Sequence, residues 1–266
     1  MYSTTNSKGS TQQSFDNATT SGGENRQRAH RKRIVEVSLW AVVFIILVVL
    51  SVLVRFHPGP FPIDVQTTET LQSLHLSAWL SSTIAFFSTL NDPIPSIIAW
   101  VAWLIGLSIF RRFKEAIFLV FGSVAADGID GLVRLFVNRP RPAPSPHVPI
   151  HVYMPEPFTS YPSGHTEHDV VFYGFLLYLS FTKPVREWRY RWVLIPFQLF
   201  AVVAIVAIGY SRIAEGSHWL TDALAGYLVG GLLLLVLIWL YRWTTNKLAE
   251  RRAKKKAEQS TSASKA

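Results

Sequence analysis

Val37–Val54, Pro93–Phe110, Trp192–Tyr210 and Ala223–Tyr241 are strongly apolar and each run at least 18 residues without an Asp, Glu, Lys or Arg. About 20 apolar residues in a helix cross a bilayer core of about 30 Å, and inside that core only a helix or a closed barrel satisfies its own backbone. Runs of this length predict helices that pass through a membrane several times. The fold class expected is all-α: a polytopic membrane bundle of six transmembrane helices plus one amphipathic helix lying in the interface. With no Cys, disulfides and thiolate metal sites are excluded and the redox compartment cannot be read.

The charges orient the bundle. Residues 1–33 are polar and end in the basic cluster Arg26, Arg28, Arg31, Lys32, Arg33, which predicts a disordered cytoplasmic tail. The polar lead before the first apolar run is too long for a cleaved signal peptide. Residues 242–266 form a second basic tail, and 34–241 the membrane domain, with its motifs concentrated in 93–241. The net charge of +9 sits mainly at the ends of the apolar runs. That placement fits anionic lipid and membrane orientation rather than nucleic acid.

Spans at 34–54, 93–110, 115–134, 166–182, 192–210 and 219–241 put Arg111, Arg112 and Lys114 on the same side as both tails. They do the same for Lys183, Arg186, Arg189 and Arg191. Reading the uncharged stretch Leu71–Leu90 as a seventh span would reverse both loops, so an interfacial helix is expected there. Six spans leave only Arg55, Arg134, Arg139, Arg141 and Arg212 outside, out of 26 Lys and Arg. Four of those five lie in compact clusters, so topology does not account for them.

The first cluster is Arg134-Leu-Phe-Val-Asn-Arg-Pro-Arg-Pro142. Two prolines break the helix, and Arg139 and Arg141 alternate with them so as to point one way. A guanidinium fork suits oxyanions, although snorkelling to lipid headgroups would also place an Arg here. The second cluster is Pro162-Ser163-Gly164-His165. Ser163 is expected to cap a helix whose free N–H groups attract an anion, and Gly164 to let a ligand approach. His165 stands where it could protonate a leaving oxygen. Glu167 and Asp169 are expected to complement the helix start, and Asp130 to pair with Arg134 one turn away.

The third cluster is Ser211-Arg212, five residues, His218, three residues, Asp222. His218 and Asp222 share one helix face, where a carboxylate can fix the imidazole tautomer that leaves the other nitrogen free to attack. A buried polar pair or a metal ligand would use the same spacing. No His-x-x-x-His and no acidic metal triad stands in these segments, so no metal and no cofactor is expected. Cationic forks, helix-start amides and two histidines are the equipment of phosphoryl transfer through a phosphohistidine.

These three clusters resemble the tripartite signature of the type 2 phosphatidic acid phosphatase and vanadium haloperoxidase superfamily: Lys-x6-Arg-Pro, Pro-Ser-Gly-His, and Ser-Arg-x5-His-x3-Asp. The chain carries Arg134-x6-Arg141-Pro142, Pro162–His165 and Ser211-Arg212-x5-His218-x3-Asp222, departing only in Arg134 for the usual Lys. The resemblance implies that His218 is the nucleophile, Asp222 its orienting partner and His165 the general acid. It implies that Arg134, Arg141, Ser163, Gly164 and Arg212 hold the phosphate.

The function implied is a metal-independent integral membrane lipid phosphatase with both termini cytoplasmic and its site extracytoplasmic. Its substrate would be phosphatidic acid, phosphatidylglycerophosphate or a polyprenyl diphosphate. The same scaffold could transfer the phosphoryl group to another acceptor, or bind lipid without catalysis. The loop Ala143–Ser160, with His147, His151 and Met154, is expected to act as a lid or a substrate selector.

Overall fold

The computed structural model describes residues 8–146, 148–153, 159–183 and 185–263. Residues 1–7, His147 and Met154 therefore lie outside what is described, and with them part of the expected tail and of the expected lid. Among the described residues eight α-helices follow in order: α1 Lys8–Phe56, α2 Pro62–Ser73, α3 Ala78–Thr89, α4 Pro93–Ile109, α5 Phe113–Val137, α6 Gly164–Ser180, α7 Ile195–Ala214 and α8 Leu220–Ala263. No strand occurs among the described residues. The chain divides into two units, Met1–Ile46 and Leu47–Ala266. All that follows concerns the second, apart from the helix α1 that the first carries.

By length and composition, Ile34–Phe56, Phe113–Val137, Arg191–Ala214 and the helix from Leu220 are each able to cross a membrane. The pair α3 and α4 would make a fifth span, bent by 72° at Asn91-Asp92. Pro93 and Pro95 open α4 and withhold the N–H groups that would continue α3. The stretch Leu71–Leu90, expected as one amphipathic helix, is not one element. Leu71–Ser73 closes α2, residues 74–77 are extended at both ends, and α3 starts after Ser77.

α6 lies at the centre of the bundle, with α5, α7 and α8 packed around it. Val171, Phe172, Phe175 and Leu179 are buried there against Leu119 of α5, Ala201 and Ala204 of α7 and Leu237 and Tyr241 of α8. α8 comes closest, through Gly226 and Gly230. A methyl group on Gly226 would sit 2.6 Å from the Ser163 carbonyl oxygen, and one on Gly230 would sit 2.8 Å from that of Glu167. Small residues four apart let two membrane helices meet backbone to backbone. The contact sets the start of α6 against the start of α8.

At the same end, α2 is tied to the neighbouring loop. Gln72 donates to the carbonyls of His151 and Ala214 at 2.7 and 3.0 Å, and its Oε1 accepts from the His151 N–H at 2.9 Å. Tyr161, wholly buried, joins its hydroxyl to Ser51 of α1 at 3.0 Å. Burial pushes that hydroxyl up to about 12.

Candidate functional site

α5 and α7 end where α6 and α8 begin, so antiparallel packing gathers all three sequence clusters at one end of the bundle. A cavity of about 1570 Å³ opens there and reaches between α4 and α5. Arg134, Arg141, Gly164, His165 and Arg212 line it. Ser163, His218 and Asp222 lie behind this wall, each fully buried.

Arg134 is held in place from two sides. Its Nε donates to Asp130 Oδ2 at 2.5 Å, as expected, and Nη1 donates to the Thr159 carbonyl at 2.5 Å. Asn138 then ends α5 in the left-handed conformation (φ 49°, ψ 47°), its N–H returning to the Arg134 carbonyl at 2.8 Å. Asn tolerates that conformation better than most residues with a side chain. The chain leaves as the stiff Arg139-Pro140-Arg141-Pro142.

Both arginines of that segment face the start of α8, one turn apart. Arg141 Nη1 donates to the Ser217 carbonyl at 2.7 Å and meets His218 Nε2 at 3.0 Å. Arg139 Nη1 donates to Thr221 Oγ1 and to Asp222 Oδ1, each at 2.6 Å. Two residues of extended chain rise about 6.6 Å, close to the 5.4 Å of a helical turn, which is why the two rows register. Arg139 is fully buried, so of the two only Arg141 reaches the cavity.

The partners of His218 assign its tautomer. Nδ1 lies 2.7 Å from the Ser160 carbonyl, which can only accept, so Nδ1 carries the proton. Nε2 faces Arg141, which can only donate, so its lone pair points toward the cavity wall. Asp222 Oδ2 stands 3.8 Å from Nδ1 and accepts from the Trp219 N–H at 2.9 Å. Ser160 is thus the nearer holder of the ring, a role that no motif signalled.

Ser163 takes the expected N-cap position of α6, through its backbone alone. Its side chain makes no cap; its hydroxyl accepts from Thr166 Oγ1 at 3.0 Å, and its N–H donates to the Asp222 carbonyl at 3.0 Å. Its work is to fasten α6 to α8 while the next two residues, Gly164 and His165, face the cavity. Arg134 Nη2 lies 2.9 Å from where a Gly164 Cβ would be, so any side chain there would push the guanidinium away. His165 lies in the field of four cationic or titratable groups, Arg212, His218, Arg141 and Arg134. Arg212, on α7, donates from Nη2 to the Ser88 hydroxyl at 2.5 Å and carbonyl at 3.0 Å, tying it to the end of α3.

Carboxylates also line the cavity, and of these spacing pointed only to Asp130. Asp127 and Asp130 line it from α5, and Asp127 Oδ1 lies 3.5 Å from His168 Nδ1. Trp100 of α4 donates to His168 Nε2 at 3.4 Å. Glu167 and Asp169 are buried within the bundle; Asp169 accepts from Asn91 at 2.9 Å.

The comparisons agree on the fold. The sequence profile of the PAP2 superfamily matches residues 115–247, half of the chain. A PAP2-type phosphatidylglycerolphosphate phosphatase from Bacillus subtilis superposes with a TM-score of 0.60 at 18% identity, covering 76% of this chain and 94% of its own. LpxE from Aquifex aeolicus superposes with a TM-score of 0.52 at 21% identity, over 67% and 96%. No curated protein matches in sequence. With its helices apolar enough to cross a bilayer and the fold of membrane phosphatases around a cavity that three arginines line, the chain belongs to the PAP2 superfamily.

Proposed function

We propose that this protein is an integral membrane phosphatase that hydrolyses a lipid phosphomonoester or diphosphate at the extracytoplasmic face, through a phosphohistidine on His218. The observation that carries the reading is the pairing of Arg141 with His218 Nε2 at the cavity wall. A phosphate drawn to Arg134, Arg141 and Arg212 would arrive beside an unprotonated ring nitrogen whose other nitrogen is already bound.

In the first step Nε2 attacks phosphorus and the bond to the lipid oxygen breaks. His165 supplies the proton that this oxygen takes as it leaves. In the second step water attacks phosphorus, His165 takes a proton from it, and the N–P bond breaks to free inorganic phosphate. The arginines meet the charge that builds on the equatorial oxygens, the effect that dominates such reactions. Nothing in these steps calls on a metal.

α1, the bent pair α3–α4, α5, α6, α7 and α8 would make six spans. The basic residues Arg111, Arg112, Lys183 and Arg186 then lie at the end away from the site, which the positive-inside rule makes cytoplasmic. The reach of the cavity between α4 and α5 suits a substrate whose tail stays in the bilayer.

Phosphate release from phosphatidic acid, phosphatidylglycerophosphate and a polyprenyl diphosphate, by detergent-purified protein with chelator present, tests the reading. Release that persists in chelator and is lost in His218→Ala is expected. Wild-type turnover in His218→Ala would remove the nucleophile, and release from none of the three would turn the search to a phosphoryl acceptor other than water.

A further inference from the structure

Arg139 offers five N–H donors, and all five are engaged away from the cavity. Nε faces the Pro58 carbonyl at 3.4 Å. Nη1 holds Thr221 Oγ1 and Asp222 Oδ1, each at 2.6 Å. Nη2 holds the Gly59 carbonyl at 3.1 Å and Asp64 Oδ2 at 2.7 Å. Asp64, on the first turn of α2, is equally occupied. Beyond Arg139 it accepts from the Phe61 N–H at 3.0 Å, the Thr221 N–H at 2.9 Å and the Thr221 hydroxyl at 3.0 Å. Asp64, Arg139 and Asp222 each have no exposed surface.

Two carboxylates therefore share one guanidinium, and the central question is what the second one does. With Asp222 alone, Arg139 would neutralise the carboxylate that stands beside His218. With Asp64 on its far side, Arg139 is balanced there, and Asp222 keeps a charge to direct at the imidazole 3.8 Å away. A buried ion pair is costly to assemble, and a buried triad with one charge in excess more so, which makes a purely structural purpose a poor explanation.

We propose that Asp64 and Arg139 are positioning residues of the phosphoryl-transfer site, acting on His218 through Asp222. The proposal rests on His218 being the nucleophile. It gives the two arginines of Arg139-Pro140-Arg141-Pro142 separate roles, since Arg141 meets the substrate and Arg139 sets the carboxylate. It also gives the short helix α2, which contributes nothing to the cavity wall, a part in the reaction.

Charge on the network should be felt by His218 together with its other charged or titratable neighbours: Asp222 on α8, His165 on α6, Asp130 on α5 and Arg141 in the α5–α6 segment. Removing the Asp64 charge lets Arg139 take more of Asp222 and leaves the imidazole a weaker base. Asp64→Asn keeps the shape and is the sharpest test. It should lower kcat about tenfold, the order of effect of a perturbed catalytic base, and move the acid limb of the pH–rate profile to lower pH.

The Michaelis constant and competitive inhibition by inorganic phosphate should stay within about threefold, since no phosphate ligand is touched. The number of phosphate-binding sites per chain at saturating inorganic phosphate should equal that of wild type, which a loss of folded protein would not allow. Arg139→Lys, which retains charge but not the five-way fork, should not restore wild-type kcat. A wild-type kcat and pH profile in Asp64→Asn overturns the proposal. So does a rise of tenfold or more in the phosphate inhibition constant of Arg139→Lys, which would make Arg139 a substrate ligand.

If Asp64→Asn does not fold, Thr221→Val removes the hydroxyl that bridges Arg139 and Asp64 without changing charge. A kcat lowered at constant Michaelis constant supports the proposal, and an unchanged kcat overturns it. His218→Ala is run beside these variants. Its inactivity leaves the outcome to Asp64, whereas activity in it removes the underlying reading and this inference with it.

Discussion

Arg134 stands where the family signature has Lys, and its contacts say what the exchange adds. One guanidinium bonds Asp130 and the Thr159 carbonyl at once while its remaining edge faces the cavity. An ammonium is a point charge on a flexible stem and cannot hold that geometry as firmly. Arg134→Lys should therefore keep turnover, with kcat/KM within about tenfold of wild type, while Arg134→Ala should lose about a hundredfold or more, the scale of a lost transition-state donor. Steady-state kinetics on one lipid phosphate measures both, and a Lys variant as poor as the Ala variant would show that the fork is required.

Individual residues divide sharply in how far their roles could be foreseen. Arg134, Arg141, His165 and Arg212 announce themselves by spacing, and they do meet at one cavity. Asp64 could not, because its partners are 75 and 157 residues away and no local pattern links them. Ser160 could not either, since it acts through a backbone carbonyl that every residue possesses.

At the level of the helices, the contact of α6 with α8 governs the site, because it fixes Ser163 against Asp222 and so His165 near His218. Gly230→Leu should overpack this seam and cost roughly 1–3 kcal/mol or more, with activity falling in step. Gly231, one position on, has nothing within 4 Å of a would-be Cβ, so Gly231→Ala should be neutral or stabilising by up to about 1 kcal/mol. Thermal unfolding in detergent separates the two; equal effects would mean that the seam is looser than the distances indicate.

The helices themselves could be foreseen from hydropathy, which registers a change of solvent along the chain. What hydropathy does not register is direction. The 72° turn between α3 and α4, and the break in Leu71–Leu90, depend on where extended residues and prolines interrupt an uncharged stretch. Composition marks that stretch as apolar throughout. Nor does it register that α1 and α8 run on as helix into polar sequence, from Lys8 and to Ala263.

For the whole molecule, the decisive property is which end faces which side of the membrane. The end opposite the site carries Lys183, Arg186, Arg189 and Arg191, with Trp188, Tyr190 and Trp192 exposed among them, as aromatic residues are at a membrane interface. The site end carries few basic residues beyond those that the cavity and the Asp64 network use. A phosphatase of this orientation would act only on lipid already delivered to the outer leaflet.

The chain offers a clean way to ask, since it contains no Cys and any thiol introduced is the sole one. Ser145 lies exposed in the α5–α6 loop beside the site, and Glu187 lies exposed in the α6–α7 connection at the other end. In intact cells, a membrane-impermeant maleimide should label Ser145→Cys and spare Glu187→Cys, and permeabilisation should make the second react. The reverse pattern would place the site in the cytoplasm, so that the arginines at the cavity would meet lipids on their side of synthesis rather than after export. Labelling of both before permeabilisation would put an odd number of crossings between Ser145 and Glu187 out of reach. α6 would then not be a span, and its 17 residues, short and bearing Glu167 and Asp169, would be a helix buried wholly within the protein.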